Sequence, residues 1–290
     1  MVIVRLTGGL GNQMFQYATG KRLSLTSGAE LKLDVRRLKG DSYRKFQLEV
    51  FDISEEPATE EEIRRIQRSS ISTWLLLPIR HRIGVKFMPP AFYPERQYTF
   101  DPLVLEIKDN VYLKGHFHSE KYFTDVADII AETYTLKSIS KKAQELHNEI
   151  IGCNSVSVHV RRGDYISKPQ NLTRYGSCST EYYNECMRMI LSAGSAPKFY
   201  VFSDEPDWVR NNMSFPESTI IVTREGLGCD AEELFLMSSC RQHITANSTF
   251  SWWGAWLDRN PHKTVYTPKR WFLAEDLDTA DLIPNSWIRV

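Results

Sequence analysis

Residues 155–165 read SVSVHVRRGDY. Val156, Val158, Val160 and their neighbours make a short β-branched run with the length and composition of a buried strand. Two arginines, a glycine and an aspartate follow at once, so His159, Arg161, Arg162 and Asp164 gather where a core strand ends. From about residue 140 the chain keeps this rhythm: helix 140–150, strand 155–160, helix 180–192, strand 198–203, helix 205–211, strand 219–223, helix 230–239, strand 243–246, helix 249–257, strand 263–267. Such alternation predicts parallel strands joined by right-handed crossovers, an α/β fold. In such sheets ligands lie beyond the carboxyl ends of the strands. HVRRGDY (159–165), FSDEPDW (202–208) and TANSTFSWWG (245–254) fall at three of those ends and are expected to form one site.

The amino-terminal half is punctuated differently. VIVRL (2–6) reads as a buried strand, Gly8, Gly9 and Gly11 as a tight turn, and 12–27 as a helix carrying Phe15, Ala18, Leu23 and Leu25, with Gly28 as its stop. LKLDV (31–35) is a second strand. Residues 40–110 are loosely patterned, with a charged helix at 59–69 opened by the capping-box pair Thr59 and Glu62 and a proline-rich MPPAFYP at 88–94. The expected division is therefore into two domains, 1–139 and 140–290.

A chain of 290 residues can bury one large core or two modest ones. Its 36 basic and 36 acidic residues cancel, which leaves no overall field for nucleic acid or an anionic membrane and makes the paired arginines more informative. Cys153, Cys178, Cys186, Cys229 and Cys240 are odd in number and lack metal-ligand spacing, so neither a disulfide framework nor a zinc site is suggested. No leader or membrane span is visible, WLLLP (74–78) being far too short, and a cytoplasmic location is the simplest expectation, compatible with peripheral membrane association. On that expectation the sequons at Asn171, Asn212 and Asn247 are accidental.

Each cluster admits a chemical and a structural reading. Arg161 or Arg162 can fork onto a phosphate, or one of them can pin its loop through Asp164. Ser248 and Thr249 precede a helix whose free N–H groups favour an anion, yet they are equally ordinary N-caps. TGGLGNQ (7–13) lacks both dinucleotide and P-loop spacing and is either a close backbone approach to a ligand or a plain turn. Trp252, Trp253 and Trp256 have helical spacing that favours core packing over sugar stacking. His116 and His118 read as one strand face with a solvated or acceptor-facing role. Asp276-Leu-Asp278 has the Asp-x-Asp form of metal-dependent glycosyltransferases but no strand before it, and no metal is expected.

GGLGNQMFQYA (8–18), HVRRGDY (159–165), FSDE (202–205) and ANSTFSWWGAWL (246–257) together resemble, in order and spacing, the four signature motifs of the α-1,2-fucosyltransferases. The resemblance spans nearly the whole chain. It implies a GT-B-like fold of two Rossmann-type domains, the first on the acceptor side and the second binding the donor. It further implies transfer of L-fucose from GDP-β-L-fucose, with inversion and without cofactor, to the 2-hydroxyl of a galactoside-terminated glycan, free or lipid-linked. The anchorless chain is similar to bacterial members that build surface polysaccharide such as O-antigen.

On this resemblance Arg161 is the cation that meets negative charge growing on the leaving diphosphate. His159 contacts the nucleotide, Arg162 binds the donor or braces the loop, and Asn12 lies close to donor phosphate and fucose, with Gly11 allowing its approach. Ser248 and Thr249 bind phosphate. Glu233 occupies the position of an acid that reads guanine, or is a solvent-facing glutamate in a helical first turn. Asp164 deprotonates the acceptor hydroxyl or orients Arg161. Asp204 and Glu205 bind acceptor or merely end a strand. Two other classes fit parts of the pattern: a different nucleotide-sugar transferase, and a non-catalytic carbohydrate-binding protein that would account for the 12% aromatic content but not for the arginines.

Overall fold

The computed structural model describes residues 1–41, 44–75, 91–194, 196–274 and 277–290. They form two compact units: Met1–Thr135 with Ala280–Leu282, and Leu136–Thr279 with Ile283–Val290. The chain thus changes unit at 135/136, and a three-residue segment near its end belongs to the first unit.

In the first unit β1 (Val2–Arg5), β2 (Leu31–Asp34), β3 (Phe92–Pro94) and β4 (Val111–Lys114) form a parallel sheet of order β2-β1-β4-β3. Helix α1 (Leu10–Ser27) covers it, burying Leu10, Met14, Phe15, Tyr17 and Ala18. Contact is close because Gly20 has no side chain; a Cβ there would lie 2.2 Å from Val4 Cγ2. Gly28 ends α1 in the left-handed region at φ 71°, its N–H donating to the Ser24 carbonyl at 2.9 Å. The charged helix runs Glu60–Leu75, longer than its sequence pattern suggests, and starts from the expected capping box: Thr59 N–H donates to Glu62 Oε2 at 2.8 Å and Glu62 N–H to Thr59 Oγ1 at 3.2 Å.

The second unit holds β5 (Ser155–Val160), β6 (Lys198–Ser203), β7 (Ile220–Val222), β8 (Gln242–Ile244), β9 (Thr264–Thr267) and β10 (Ile288–Arg289) in the order β10-β9-β8-β5-β6-β7, every pair parallel. From central β5 the chain steps outward through β6 and β7, returns to β8 on the other side of β5, and continues to β9 and β10. The direction reverses between β5 and β8, and in doubly wound sheets that point opens a crevice at the carboxyl edge. All six residues of β5 are buried, as a strand covered on both faces requires.

The valines of β5 enter an apolar cluster with Tyr183, Met187, Phe199 and Val201. A buried polar chain cross-links this sheet: Ser157 Oγ lies 2.8 Å from His243 Nδ1, and His243 Nε2 lies 2.9 Å from Asp258 Oδ2. Trp252 and Trp253 are fully buried and Trp256 nearly so, with Trp252 and Trp253 edge-to-face at 5.0 Å. These rings are core, so the stacking alternative for them is overturned. Among the described residues all five cysteines are free, and no helix is long and apolar enough to cross a membrane.

Candidate active site

The two arginines after β5 diverge. Arg161 Nη1 lies 3.0 Å from Asp204 Oδ2, its Nη2 pairs with Asp164 Oδ1, and its guanidinium sits 5.5 Å from the Tyr165 ring. Burial works against its charge, but Asp204 and Asp164 more than compensate and raise its pKa. Arg162 lies flat on Trp208, 3.4 Å from the ring centre, with Nε 3.1 Å from Glu205 Oε2. The loop-bracing reading therefore describes geometry seen at both residues. Asp204 is the organiser that the sequence reading leaves as a strand end: besides holding Arg161 it accepts the Arg162 N–H at 3.0 Å through Oδ1. A Cβ on Gly163 would approach Asp204 Oδ2 to 2.5 Å, so the glycine of RRGD leaves room for that carboxylate.

The third cluster joins the first. Tyr165 donates its hydroxyl proton to the Asn247 carbonyl at 3.3 Å, and the His159 ring lies 5.6 Å from that of Phe250. His159 is buried, its Nδ1 has no partner among the described residues, and burial, aided by Arg161 and Arg224, pushes its pKa down to about 3. The imidazole is neutral and can accept a hydrogen bond. Ser248 caps the helix Thr249–Trp256, Oγ accepting from Phe250 N–H at 3.3 Å, so capping is its role in this structure. Asn247 was passed over as a sequon; its buried amide donates to the carbonyls of Tyr175 (3.0 Å), Gly176 (3.3 Å) and Trp271 (3.1 Å). No local pattern signals this, because its three acceptors come from distant loops.

Glu233 is 3% exposed, which corrects the solvent-facing alternative. Arg224 Nε lies 2.9 Å from its Oε1, while Arg224 Nη1 reaches Asp230 at 2.9 Å. Burial raises the Glu233 pKa and Arg224 pulls against that rise. Its neighbour Glu232 is equally buried but accepts from the Ser140 N–H and Oγ and from the Gly228 N–H, which makes it a structural pin.

In the first unit the glycine turn is locked by two glutamines. Gln13 Nε2 donates to the carbonyls of Gly8 (3.0 Å) and Lys45 (2.8 Å), and Gln16 bonds both the Thr7 N–H (2.9 Å) and the Thr7 hydroxyl (3.1 Å). Helix α1 starts at Leu10, two residues earlier than expected, so Gly11 and Asn12 lie in its first turn. His116 and His118 are not on a strand face: β4 ends at Lys114, and both follow in the loop, where Phe117 takes a left-handed φ of 54°. His118 is buried rather than solvated, its Nε2 lying 3.1 Å from Asn12 Oδ1. Of the Asp-x-Asp candidate, Asp276 lies outside the described residues.

Residues 85–288 match the sequence family described as Glycosyl transferase family 11. The chain belongs to that family. Among its relatives, an Escherichia coli alpha-1,2-colitosyltransferase is 33% identical over 100% of this chain and 99% of its own length. The O-antigen biosynthesis glycosyltransferase WbnK of Escherichia coli is 30% identical over 98% and 99%, and the mouse galactoside 2-alpha-L-fucosyltransferase Sec1 is 24% identical over 95% and 73%. The resemblance to α-1,2-fucosyltransferases is thereby borne out at the level of the family. An Arabidopsis thaliana FUT1 variant in complex with GDP superposes with TM-score 0.51 at 12% identity, covering 93% of this chain and 71% of that one. POFUT1 in complex with GDP-fucose gives 0.50 at 13%, covering 92% and 97%. This family 11 glycosyltransferase has the expected GT-B-like fold, two Rossmann-type units with parallel sheets.

The buried histidines of this glycosyltransferase make its stability pH-dependent. Burial lowers the pKa of His118, His159 and His243 below the ordinary 6.5, Asp258 restoring part of the loss at His243. Below pH ~6.5 the unfolded chain binds protons that the folded chain refuses, so stability falls as pH drops through that value. Glu95 and Glu233, raised by burial, oppose this nearer the carboxylate range. Urea unfolding is expected to show lower stability at pH 5.5 than at 7.5, and equal or higher stability at 5.5 would contradict the assignment.

Proposed function

We propose that this family 11 enzyme transfers L-fucose from GDP-β-L-fucose, with inversion, to the 2-hydroxyl of a terminal β-galactoside in surface-polysaccharide assembly, O-antigen being the leading case. The observation that carries the reading is Arg161 at the carboxyl end of β5, beside the reversal of strand order, with its charge held by Asp164 and Asp204. As the bond from fucose C1 to the β-phosphate breaks, negative charge collects on the departing diphosphate and positive charge on the sugar. A prepositioned guanidinium lowers the energy of that transition state more than that of the bound donor. His159, neutral and buried, serves as a hydrogen-bond acceptor toward the nucleotide, and Asn12, with Gly11 beside it, serves the donor phosphate and fucose. Thr249 offers an N–H and a hydroxyl to phosphate at the helix start that Ser248 caps. Arg162 holds the loop. Asp164 orients Arg161, and this pairing argues against a free acceptor-side base at that residue.

The relative named for colitose favours a second reading of the donor. Colitose is the 3-deoxy analogue of L-fucose, so both sugars leave GDP through the same chemistry. The test is a donor panel of GDP-fucose, GDP-colitose, GDP-mannose and UDP-galactose against lactose, lacto-N-biose and galactosyl-GalNAc, with product linkage read by NMR. Turnover with UDP-galactose alone, or GDP binding weaker than millimolar, would overturn the proposal.

Two further outcomes follow. Turnover is expected to survive EDTA, since side-chain cations do the work at the diphosphate; activity lost to chelator and restored by manganese would reject this. Glu233→Ala is expected to raise the donor KM about tenfold or more with little change in kcat, because contacts to the base are made equally in ground and transition states. An unchanged donor KM would hand guanine recognition to another residue.

A further inference from the structure

We infer that His118 is a positioning residue of the transferase, its Nε2–H holding the Asn12 carboxamide in one orientation at the glycine turn. The inference rests on the functional reading above, in which Asn12 serves the donor. Strands β1 and β4 are neighbours, and the loops leaving their carboxyl ends bring Asn12 and His118 together. Asn12 Oδ1 lies 3.1 Å from His118 Nε2, and Asn12 Nδ2 lies 2.4 Å from where a Cβ of Gly8 would stand. Gly8 adopts φ 79°, a conformation glycine takes without strain, and its missing side chain is the space the amide NH2 fills. With Oδ1 on the histidine and Nδ2 over Gly8, the carboxamide cannot flip without losing its partner.

The histidine is itself held. Glu95 accepts the His116 N–H at 2.7 Å and the Phe117 N–H at 2.8 Å, fixing the turn in which Phe117 takes its left-handed φ. Gly115 makes this possible, since a Cβ there would come 2.4 Å from Glu95 Cβ. Phe117 is buried and stands edge-on to Tyr122 at 5.5 Å, so the turn has an apolar anchor as well. A left-handed non-glycine residue costs of order 1–3 kcal/mol and persists only where its surroundings impose it. Here the result of the strain is the placement of His118.

His118 is 5% exposed, packs edge-on to Phe15 at 5.2 Å, and has no partner for Nδ1 among the described residues. The titratable groups facing it are His116 at 4.9 Å and Tyr98 at 5.9 Å between ring centres, with Glu95 one loop bond away. Burial and His116 both lower its pKa. The side chain is thus a neutral donor through Nε2, and neutral glutamine can reproduce that single N–H.

The test is a double-mutant cycle on the full chain with the active donor. Asn12→Ala is expected to lower kcat on the order of 100-fold and His118→Ala 10–100-fold, while the double variant falls no further than Asn12→Ala alone, because the histidine acts through the asparagine. His118→Gln should recover most of the turnover, with thermal melts reporting on folding. In parallel, 15N NMR of the wild-type imidazoles should show His118 neutral and protonated at Nε2 at pH 7, whichever sugar is transferred. Multiplying losses, a folded His118→Gln no better than His118→Ala, or an Nδ1–H tautomer would each overturn the inference. A wild-type chain without transfer activity would instead remove the functional reading, and the tautomer would still decide the contact.

Discussion

Arg161→Lys is expected to lower kcat on the order of 100–1,000-fold, or about 3–4 kcal/mol of transition-state stabilisation, while the protein stays folded. The guanidinium spans Asp204 and Asp164 with different nitrogens, and a single ammonium on a shorter fork cannot meet both carboxylates and a phosphate in parallel. Arg162→Lys loses the stack on Trp208 and the Nε contact to Glu205, which hold a loop rather than a leaving group. Its turnover should fall less than about tenfold, in the range of a lost partly exposed cation–π contact. Both variants are to be assayed with GDP-fucose and a β-galactoside beside thermal melts. Near-native kcat in folded Arg161→Lys refutes the role, and a reversed order of the two transfers it to Arg162.

Asn247→Ala is expected to cost roughly 3 kcal/mol of stability, since it strips one donor each from the carbonyls of Tyr175, Gly176 and Trp271 in a place where water does not reach. Asn247→Asp should be worse still, replacing the donors by a buried charge facing three carbonyl oxygens. Denaturant midpoints at unchanged slope will measure both. A change within about 0.5 kcal/mol for the alanine variant would mean that those loops hold themselves.

The strand and helix rhythm after residue 140 was legible because parallel strands buried on both faces must be apolar throughout and their helices amphipathic. Strands β5 and β6 match the expected 155–160 and 198–203 end to end. Short elements after β5, Gly163–Ser167 and Pro169–Arg174, carry no such period and went unseen. The polar clusters were legible as strand-end chemistry, but their wiring was not. That Asp204 is shared by Arg161 and the Arg162 N–H, and that Glu233 is buried, depends on packing between segments far apart in sequence. The histidines of KGHFH misled for a related reason: alternation imitates a strand, whereas Glu95, twenty residues earlier, ends β4 and turns the loop.

Ala280–Leu282 belong with Met1–Thr135, and the chain then returns to lay β10 beside β9. Within the first unit the Phe100 N–H and the Lys121 ammonium bind the Asp281 carboxylate, and Ser119 Oγ donates to its carbonyl. Ser119 directly follows His118, so the terminal segment buttresses the loop that carries that imidazole. A gene split at residue 135 would therefore yield an amino-terminal fragment lacking one of its own struts. Co-expression of the halves could restore that strut only if the carboxyl fragment lent it back, which makes split-gene complementation a direct measure of how much the three borrowed residues contribute.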